Sequence, residues 1–209
     1  MKVIFATGNK DKMKEIREIL EGIGSIKEVV SMKEAGFDLD IEEDGTTFEE
    51  NALIKAQAVW DAANKAGMED ILVLADDSGL CVDAMGGGPG IYSARYMGKD
   101  ASYKDKNQDI INRVNKDGNG NRRAQFVCCI AGVFPDGSHE VVRGTIEGEI
   151  ADKEYGTNGF GYDPIFYVPK FGCTTAQMPP EKKHSISHRG NALRMMKKVI
   201  TEYESNNSK

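Results

Sequence analysis

The sequence predicts an α/β protein with a long mixed β-sheet flanked by helices. Short aliphatic segments alternate with amphipathic helical segments in the first half of the chain, as in parallel strands joined by helices. Two strand-like segments, 124–134 and 140–150, flank the turn residues 135–138 and predict a long hairpin. Together these features favour a mixed sheet, arranged in two lobes with a cleft.

Composition narrows the class of protein. A formal net charge of −6 over 209 residues argues against broad nucleic-acid binding, but it permits a small anion held by a local basic cluster. No apolar segment approaches membrane-spanning length, and residues 1–6 are too short for a signal peptide. The four cysteines lack Cys-x-x-Cys spacing and indicate reduced, buried thiols in a cytoplasmic protein.

The first element is a buried strand over residues 2–6, followed by a turn over residues 7–12 and an amphipathic helix that ends near Gly22. A helix N-terminus offers free N–H groups and a positive dipole end to an anion, and Lys10 and Lys12 add full charges. The loop therefore favours a polyphosphate, although lysines flanking a surface helix are also commonplace. It is not a P-loop, because Gly-x-x-x-x-Gly-Lys-Ser/Thr does not occur.

A second strand is predicted over residues 26–30, and residues 47–50 form a capping box that begins a long helix to about Ala66. The acidic segment before this helix contains Glu42 and Glu43. Their charges either favour the helix N-terminus or supply a carboxylate to a metal site. Spacing alone leaves both interpretations open.

The most informative stretch is a short strand over residues 71–75, buried on both faces, that runs directly into Asp76 and Asp77. Ligands in open α/β sheets bind just beyond the carboxyl ends of strands. A pair of acids there favours a hard cation, a base that activates water, or both. The alternative is a plain strand-end turn, because Asp-Ser-Gly is ordinary turn chemistry.

Two more helices follow. Ser102 and Asp105 predict the cap of a helix that continues through Val114. The last helix begins after Ser187, and its polar end, residues 204–209, predicts a frayed tail. Its buried stripe is expected to contain Leu193, Met196, Ile200 and Tyr203.

Two late segments carry candidate binding residues. Glycines in residues 156–164 let the backbone approach a ligand, and Phe160 and Tyr162 offer flat faces to a base, although a plain aromatic turn is the alternative. Residues 181–190 gather four or five basic groups in an acidic protein. Such a cluster indicates an anionic partner, with a solvated charged segment as the alternative.

Five motifs occur in an order seen in one family. They are Thr7-Gly8-Asn9-x-x-Lys12, Asp76-Asp77-Ser78-Gly79-Leu80, Gly90-Ile91-Tyr92-Ser93-Ala94-Arg95-Tyr96, Phe160-Gly161-Tyr162-Asp163-Pro164 and Ser187-His188-Arg189-Gly190. In these motifs the chain resembles the inosine triphosphate pyrophosphatases, which act on noncanonical purine nucleoside triphosphates such as ITP, dITP and XTP. The resemblance runs from residue 2 to about residue 200. The chain departs from it with Gln177 and Lys182 where the family often has glutamates, and register with Arg189 favours Lys183 as the substrate lysine.

The resemblance implies one two-lobed domain over residues 1–203 with a central substrate cleft, a homodimer, and Mg²⁺-dependent hydrolysis to a nucleoside monophosphate and pyrophosphate. Glu43 and Asp77 would hold the metal, and Asp77 would also be catalytic. Asn51 and Lys55 are further candidates. The substrate-binding residues implied are Thr7, Gly8, Asn9, Lys10, Asp11, Lys12, Ser78, Phe160, Gly161, Tyr162, Asp163, Lys183, His188 and Arg189.

Two other functions use the same features. A nucleotide- or RNA-binding module without catalysis would use the same basic loops and aromatic residue. Clustered carboxylates count against it, since they repel phosphate unless a cation intervenes. Among enzymes, the alternative is a related pyrophosphatase for pyrimidine or modified-base nucleotides. With either enzyme, we expect neither a nucleic acid nor a membrane as partner.

Overall fold

Strands and helices alternate along the chain, and the predicted α/β class with a mixed sheet is confirmed. The computed structural model describes residues 1–20 and 26–207. The strands are β1 (Lys2–Phe5), β2 (Glu28–Ser31), β3 (Ile71–Val82), β4 (Arg123–Val133), β5 (His139–Ile150), β6 (Phe166–Val168) and β7 (Cys173–Thr174). The helices are α1 (Lys10–Leu20), α2 (Phe48–Lys65), α3 (Tyr103–Asp117), α4 (Pro180–Ile186) and α5 (His188–Asn207).

The strands form one sheet in the order β2-β1-β3-β4-β5-β6-β7. β1 runs parallel to both of its neighbours, with Phe5 opposite Ser31 of β2 and Leu74 of β3. β6 runs antiparallel to β5 and β7. The predicted hairpin corresponds to β4 and β5, which need only a short turn, whereas the parallel strands need helical crossovers.

The predicted caps begin two of the helices. The Thr47 hydroxyl accepts a hydrogen bond from the Glu50 N–H at 3.1 Å at the start of α2. The Ser102 hydroxyl accepts one from the Asp105 N–H at 3.1 Å at the start of α3. Each cap satisfies a backbone donor that has no partner within the helix. Both predicted helix starts are confirmed.

The chain forms two compact units, each with its own apolar core. The first unit comprises Met1–Asp77, Cys128–Gly144 and Gly190–Lys209, and the second comprises Ser78–Val127 and Thr145–Arg189. The core of the first unit contains side chains of β1, α1, β3 and α5, including the predicted Leu193, Met196 and Ile200. The core of the second unit includes Leu80 and Phe166.

β3 differs from the prediction in an informative way. It does not end before the acids but continues to Val82, so that Asp76 and Asp77 lie within a strand. The strand-end turn is wrong because apolar residues resume at Leu80 and Val82, and both are buried in the core of the second unit. Burial of these side chains overrides the local turn preference of Asp-Ser-Gly.

The C-terminal region contains two helices rather than one. α4 occupies much of the segment 181–190, for which the sequence predicted only a basic cluster. α5 begins at His188, so His188 and Arg189 lie in its first turn, as predicted. It continues to Asn207, into the expected frayed tail. The remaining tail residues, 208–209, and the predicted end of α1 near Gly22 lie outside the described residues.

The composition predicted buried cysteines and no membrane-spanning segment. All four cysteines are reduced; Cys128 and Cys129 are buried, whereas Cys81 and Cys173 are partly exposed. Within residues 1–20 and 26–207, no helix combines the length and the apolar character that a membrane crossing requires.

β5 passes so close to β6 at Gly148 that no side chain fits. A Cβ there would lie 2.6 Å from the Tyr167 carbonyl oxygen and 2.7 Å from the Phe166 ring. We expect Gly148→Ala to lower the free energy of unfolding by about 1–3 kcal/mol, because the backbone must move to admit the methyl group. Urea denaturation measures this change. Glu147→Ala, at an exposed position on the same strand, is the control, and an equal effect of both would contradict the packing argument.

Candidate active site

The two acids of β3 are each matched by a lysine from a different helix. Lys12 Nζ of α1 lies 3.1 Å from Asp76 Oδ1 and 3.0 Å from Asp76 Oδ2. Lys55 Nζ of α2 lies 3.6 Å from Asp77 Oδ1. The Asp76 and Asp77 side chains are both buried, so these ammonium groups offset the cost of removing carboxylates from water.

Glu43 belongs to the same group, because the Lys55 ammonium lies 3.2 Å from Glu43 Oε2. Asn51 holds this arrangement together. Its Nδ2 donates to Asp77 Oδ2 at 3.4 Å, and its Oδ1 accepts the Gly45 N–H at 2.9 Å. The buried Asn51 amide therefore ties the loop that follows Glu43 to the Asp77 carboxylate. The sequence left two roles open for Glu43, a charge at the helix N-terminus or a carboxylate of a metal site. This geometry favours the metal-site carboxylate.

Burial raises the pKa of the Asp77 carboxyl above its ordinary value. Lys55 opposes this shift, and the negative charges of Glu43 and Asp76 add to it. A carboxylate with a raised pKa is a stronger base than an ordinary aspartate, which suits it to take a proton from water.

The carboxylates of this site limit which metal ion it can hold. Among the described residues, no three His, Cys, Asp or Glu side chains are grouped closely enough to hold a metal ion. Glu43 and Asp77 nevertheless both contact one cationic group, Lys55. Mg²⁺ usually binds through one or two protein carboxylates and completes its coordination with waters and substrate phosphates. This pair of acids therefore fits Mg²⁺ better than an ion that needs a full set of protein ligands.

Residues 7–12 form a capped turn at the start of α1. The Thr7 hydroxyl accepts the Asn9 N–H at 3.2 Å, and Asn9 Oδ1 accepts the Lys12 N–H at 3.1 Å. Gly8, Asn9 and Lys10 are exposed, as an anion-binding loop requires. The side chain of Asp11, another predicted binding residue, lies outside the described residues.

In the second unit, the buried Asp163 carboxylate joins three segments. Its Oδ2 accepts from Lys183 Nζ at 2.8 Å and from the Phe160 N–H at 2.9 Å. Its Oδ1 accepts from the Thr175 hydroxyl at 2.8 Å. The Asp163 and Lys183 side chains are only 5% and 7% exposed. A Cβ on Gly159 would collide with this carboxylate, and its φ of +74° also favours glycine.

The Phe160 ring is flanked by two cations. Lys183 Nζ lies 5.0 Å and Arg189 Cζ 5.8 Å from the ring centroid. Arg189 Nη2 also lies 3.5 Å from the Ser78 hydroxyl. These contacts bring together four of the predicted substrate residues. An aromatic face beside two donors is suited to a base that carries hydrogen-bond acceptors.

Two other predicted residues pack into the core of the second unit. Tyr162 is 5% exposed, and its hydroxyl donates to the Ser93 carbonyl at 2.7 Å. Its ring meets the Tyr103 ring edge-on at 5.3 Å, which differs from the flat face predicted for a base. The His188 ring stacks on Phe126 at 4.7 Å. Both side chains thus have structural contacts that their motifs did not reveal.

The two departures from the family pattern have distinct structural roles. Gln177 Oε1 accepts the Thr174 N–H at 3.0 Å, a capping contact that a glutamate could also make. Lys182 Nζ lies over the Phe171 ring at 4.3 Å, whereas Lys183 contacts Asp163. The structure therefore places Lys183, and not Lys182, beside the candidate binding residues.

The chain is similar to members of one protein family in both sequence and structure. A model described as the Ham1 family matches residues 3–199. A dITP/XTP pyrophosphatase of Staphylococcus aureus (strain MRSA252) is 46% identical over 198 residues, 95% of each chain. A dITP/XTP pyrophosphatase of Clostridium perfringens (strain 13 / Type A) is 42% identical over 196 residues, 94% of this chain and 95% of the relative. The solved structure of the Staphylococcus aureus Ham1 protein has a TM-score of 0.84 at 42% identity, covering 97% of this chain and 100% of that chain.

Proposed function

The chain belongs to the Ham1 family, and we propose that it hydrolyses the noncanonical purine nucleoside triphosphates ITP, dITP and XTP to a nucleoside monophosphate and pyrophosphate. The resemblance inferred from five motifs agrees with the names of its relatives. The observation that carries the proposal is the arrangement of Asp77, Glu43 and Lys55 in the first unit. It provides a buried base and a position for phosphate-bound Mg²⁺.

Asp77 is the proposed catalytic residue. Its carboxylate would accept a hydrogen bond from a water molecule and then its proton as the water attacks the α-phosphorus. Glu43 and Asp77 would hold Mg²⁺, which when bound would neutralise charge on the phosphate oxygens. Asn51 maintains the spacing of the two acids by contacting Asp77 and the loop at Gly45.

The turn at residues 7–12 is the proposed triphosphate site. Its exposed backbone and the start of α1 favour negative charge, and Lys10 supplies a full positive charge. Lys12 is held near β3 by Asp76, so its ammonium remains close to the acids rather than extending into solvent. Binding the β- and γ-phosphates here stabilises pyrophosphate as the leaving group.

Base recognition is proposed for the second unit. Phe160 offers a ring on which a purine can stack, and Lys183 and Arg189 stand beside it. Both cations only donate hydrogen bonds, so they can pair with the six-keto oxygen of hypoxanthine or xanthine but not with the six-amino group of adenine.

Product analysis tests the proposed reaction. The purified protein is incubated with ITP and Mg²⁺ in isotopically labelled water, and nucleotides and phosphates are quantified. We expect IMP and pyrophosphate in equal amounts, with the heavy oxygen in IMP because water attacks the α-phosphorus. IDP with inorganic phosphate would contradict the proposal, and so would ITP binding without turnover, which is the behaviour of a noncatalytic binding module.

The proposal that Glu43 binds Mg²⁺ can be tested against a control substitution at the neighbouring Glu42. We expect Glu43→Gln to raise the Mg²⁺ concentration for half-maximal activity by about tenfold, because a metal ligand is weakened. The KM for ITP should change less. Glu42→Gln removes an equal charge from an exposed side chain and should leave the titration unchanged. If the Mg²⁺ dependence of activity is unchanged in Glu43→Gln, Glu43 is not a metal ligand and acts only as a charge at the helix N-terminus.

Two further features of the proposal come from the family resemblance: a homodimer, and a substrate range of purine rather than pyrimidine nucleotides. A cytoplasmic location is proposed from the cysteine pattern. A panel of triphosphates with pyrophosphate detection addresses the substrate range, and sedimentation velocity addresses the dimer.

A further inference from the structure

The turn formed by Gly90–Arg95 is fixed by one buried residue, Ser93. The residue is 4% exposed, and its hydroxyl makes two hydrogen bonds. It accepts the Leu80 N–H at 2.9 Å and donates to the Gly90 carbonyl at 2.6 Å. Leu80 lies two residues beyond Ser78 on β3, so the Ser93 side chain is attached to the strand segment that carries this candidate substrate residue.

The main chain of the same residue is attached to a second candidate segment. The Ser93 carbonyl accepts the Tyr162 hydroxyl at 2.7 Å, and the next carbonyl, of Ala94, accepts Lys106 Nζ at 2.8 Å. Tyr162 is only 5% exposed and follows Phe160 by two residues. The buried Ser93 thus links β3, through its hydroxyl, to the loop that carries Phe160, through its carbonyl.

We propose that Ser93 is a positioning residue for base recognition, holding Ser78 and the Phe160 ring at a fixed separation within the second unit. This inference rests on the proposed function. Arg189 shows why the separation matters, because its guanidinium contacts both the Ser78 hydroxyl and the Phe160 ring. A shift of either segment would move the donor relative to the stacked base, and small misplacements cost an enzyme much of its rate advantage.

Two single substitutions separate the two links. Ser93→Ala removes the hydroxyl and leaves the buried Leu80 N–H without its partner, while Tyr162→Phe removes only the hydroxyl that reaches Ser93. Ser138→Ala and Tyr155→Phe are matched controls. They delete hydroxyls whose contacts are with the exposed acids Asp136 and Asp152.

The kinetic test measures kcat and KM for ITP and for ATP in all four variants. We expect Ser93→Ala and Tyr162→Phe to raise the KM for ITP by about tenfold and to narrow the ITP-to-ATP ratio of kcat/KM, with a smaller effect on kcat. If Ser93 and Tyr162 only stabilised the fold, their substitutions would lower the melting temperature and leave the ITP-to-ATP ratio of kcat/KM unchanged. The controls should match the wild type in both properties.

A second measurement does not depend on turnover. Hydrogen exchange of the Phe160 amide, which is bonded to Asp163, should accelerate in Ser93→Ala and Tyr162→Phe relative to the controls. If the wild type fails to hydrolyse ITP, the proposed function is overturned, and exchange alone decides whether Ser93 positions this loop. If the wild type is active but both variants keep its selectivity and exchange rates, the positioning role is overturned. Should Ser93→Ala fail to fold, Tyr162→Phe decides the matter.

Discussion

Replacing Asp77 with asparagine is expected to abolish turnover while ITP still binds. Asparagine keeps the size of the side chain but cannot accept a proton from water, and it removes a charge from the proposed metal position. Loss of a general base or of a metal ligand costs roughly a hundredfold or more in kcat. The substitution also removes the ion pair with Lys55, which leaves that ammonium paired with Glu43.

The measurement combines steady-state kinetics with calorimetric binding of ITP. Asp61→Asn is the matched control, since this aspartate of α2 is exposed and accepts a hydrogen bond from the Gln57 amide at 2.8 Å. It should retain wild-type kcat. Near-normal turnover in Asp77→Asn would remove Asp77 from the mechanism. Loss of ITP binding together with activity would make it primarily a binding residue.

Replacing Arg189 with alanine is expected to reduce activity toward ITP far more than activity toward ATP. The guanidinium is buried beside Phe160 and can donate to a six-keto oxygen. Opposite the six-amino group of adenine it faces another donor, and a buried donor without a partner costs about 1–3 kcal/mol. Its removal therefore costs ITP a favourable contact and relieves ATP of an unfavourable one. We expect the ratio of kcat/KM to narrow by about tenfold or more.

Arg113→Ala removes an arginine from the exposed surface of α3, where its partner is Asp109, and is the control for loss of charge. It should leave both substrates unaffected. An equal fall for ITP and ATP in Arg189→Ala would identify this residue as a general phosphate or structural contact. GTP shares the six-keto oxygen, so it should respond to Arg189→Ala as ITP does.

Those parts of the fold that depend on local chemistry could be predicted from the sequence. The Thr47 and Ser102 caps begin helices because a hydroxyl satisfies nearby backbone donors. The β4–β5 hairpin follows from two strand-like segments around a turn of Pro, Asp, Gly and Ser. Such signals act over a few residues and do not require knowledge of distant parts of the chain.

The course of β3 could not be predicted in this way. Asp76 and Asp77 remain in a strand because Leu80 and Val82 beyond them are buried in the core of the second unit. Lys12 and Lys55, which come from other parts of the sequence, offset the charges of the two acids. Without those partners, two adjacent acids followed by Ser-Gly are more typical of a turn.

Some residues of the candidate site could be predicted from the sequence, and others could not. Motifs identified Phe160, Lys183 and Arg189, which the structure brings together. They did not identify Thr175, which contacts Asp163 through an ordinary hydroxyl with no sequence signal. Nor did they show that Tyr162 lies in the core, since an aromatic residue in a glycine-rich loop can face either a ligand or the interior.

The buried pair of Asp163 and Lys183 also constrains how this protein can diverge. Neutralising either member alone leaves an uncompensated charge in an interior position, which is far more costly than losing the pair as a whole. A lineage therefore cannot drift at one position while the other stays fixed. Across descendants of this chain, the two residues should be inherited together or replaced together, and loss of Asp163 also frees the Thr175 hydroxyl from its contact with that carboxylate.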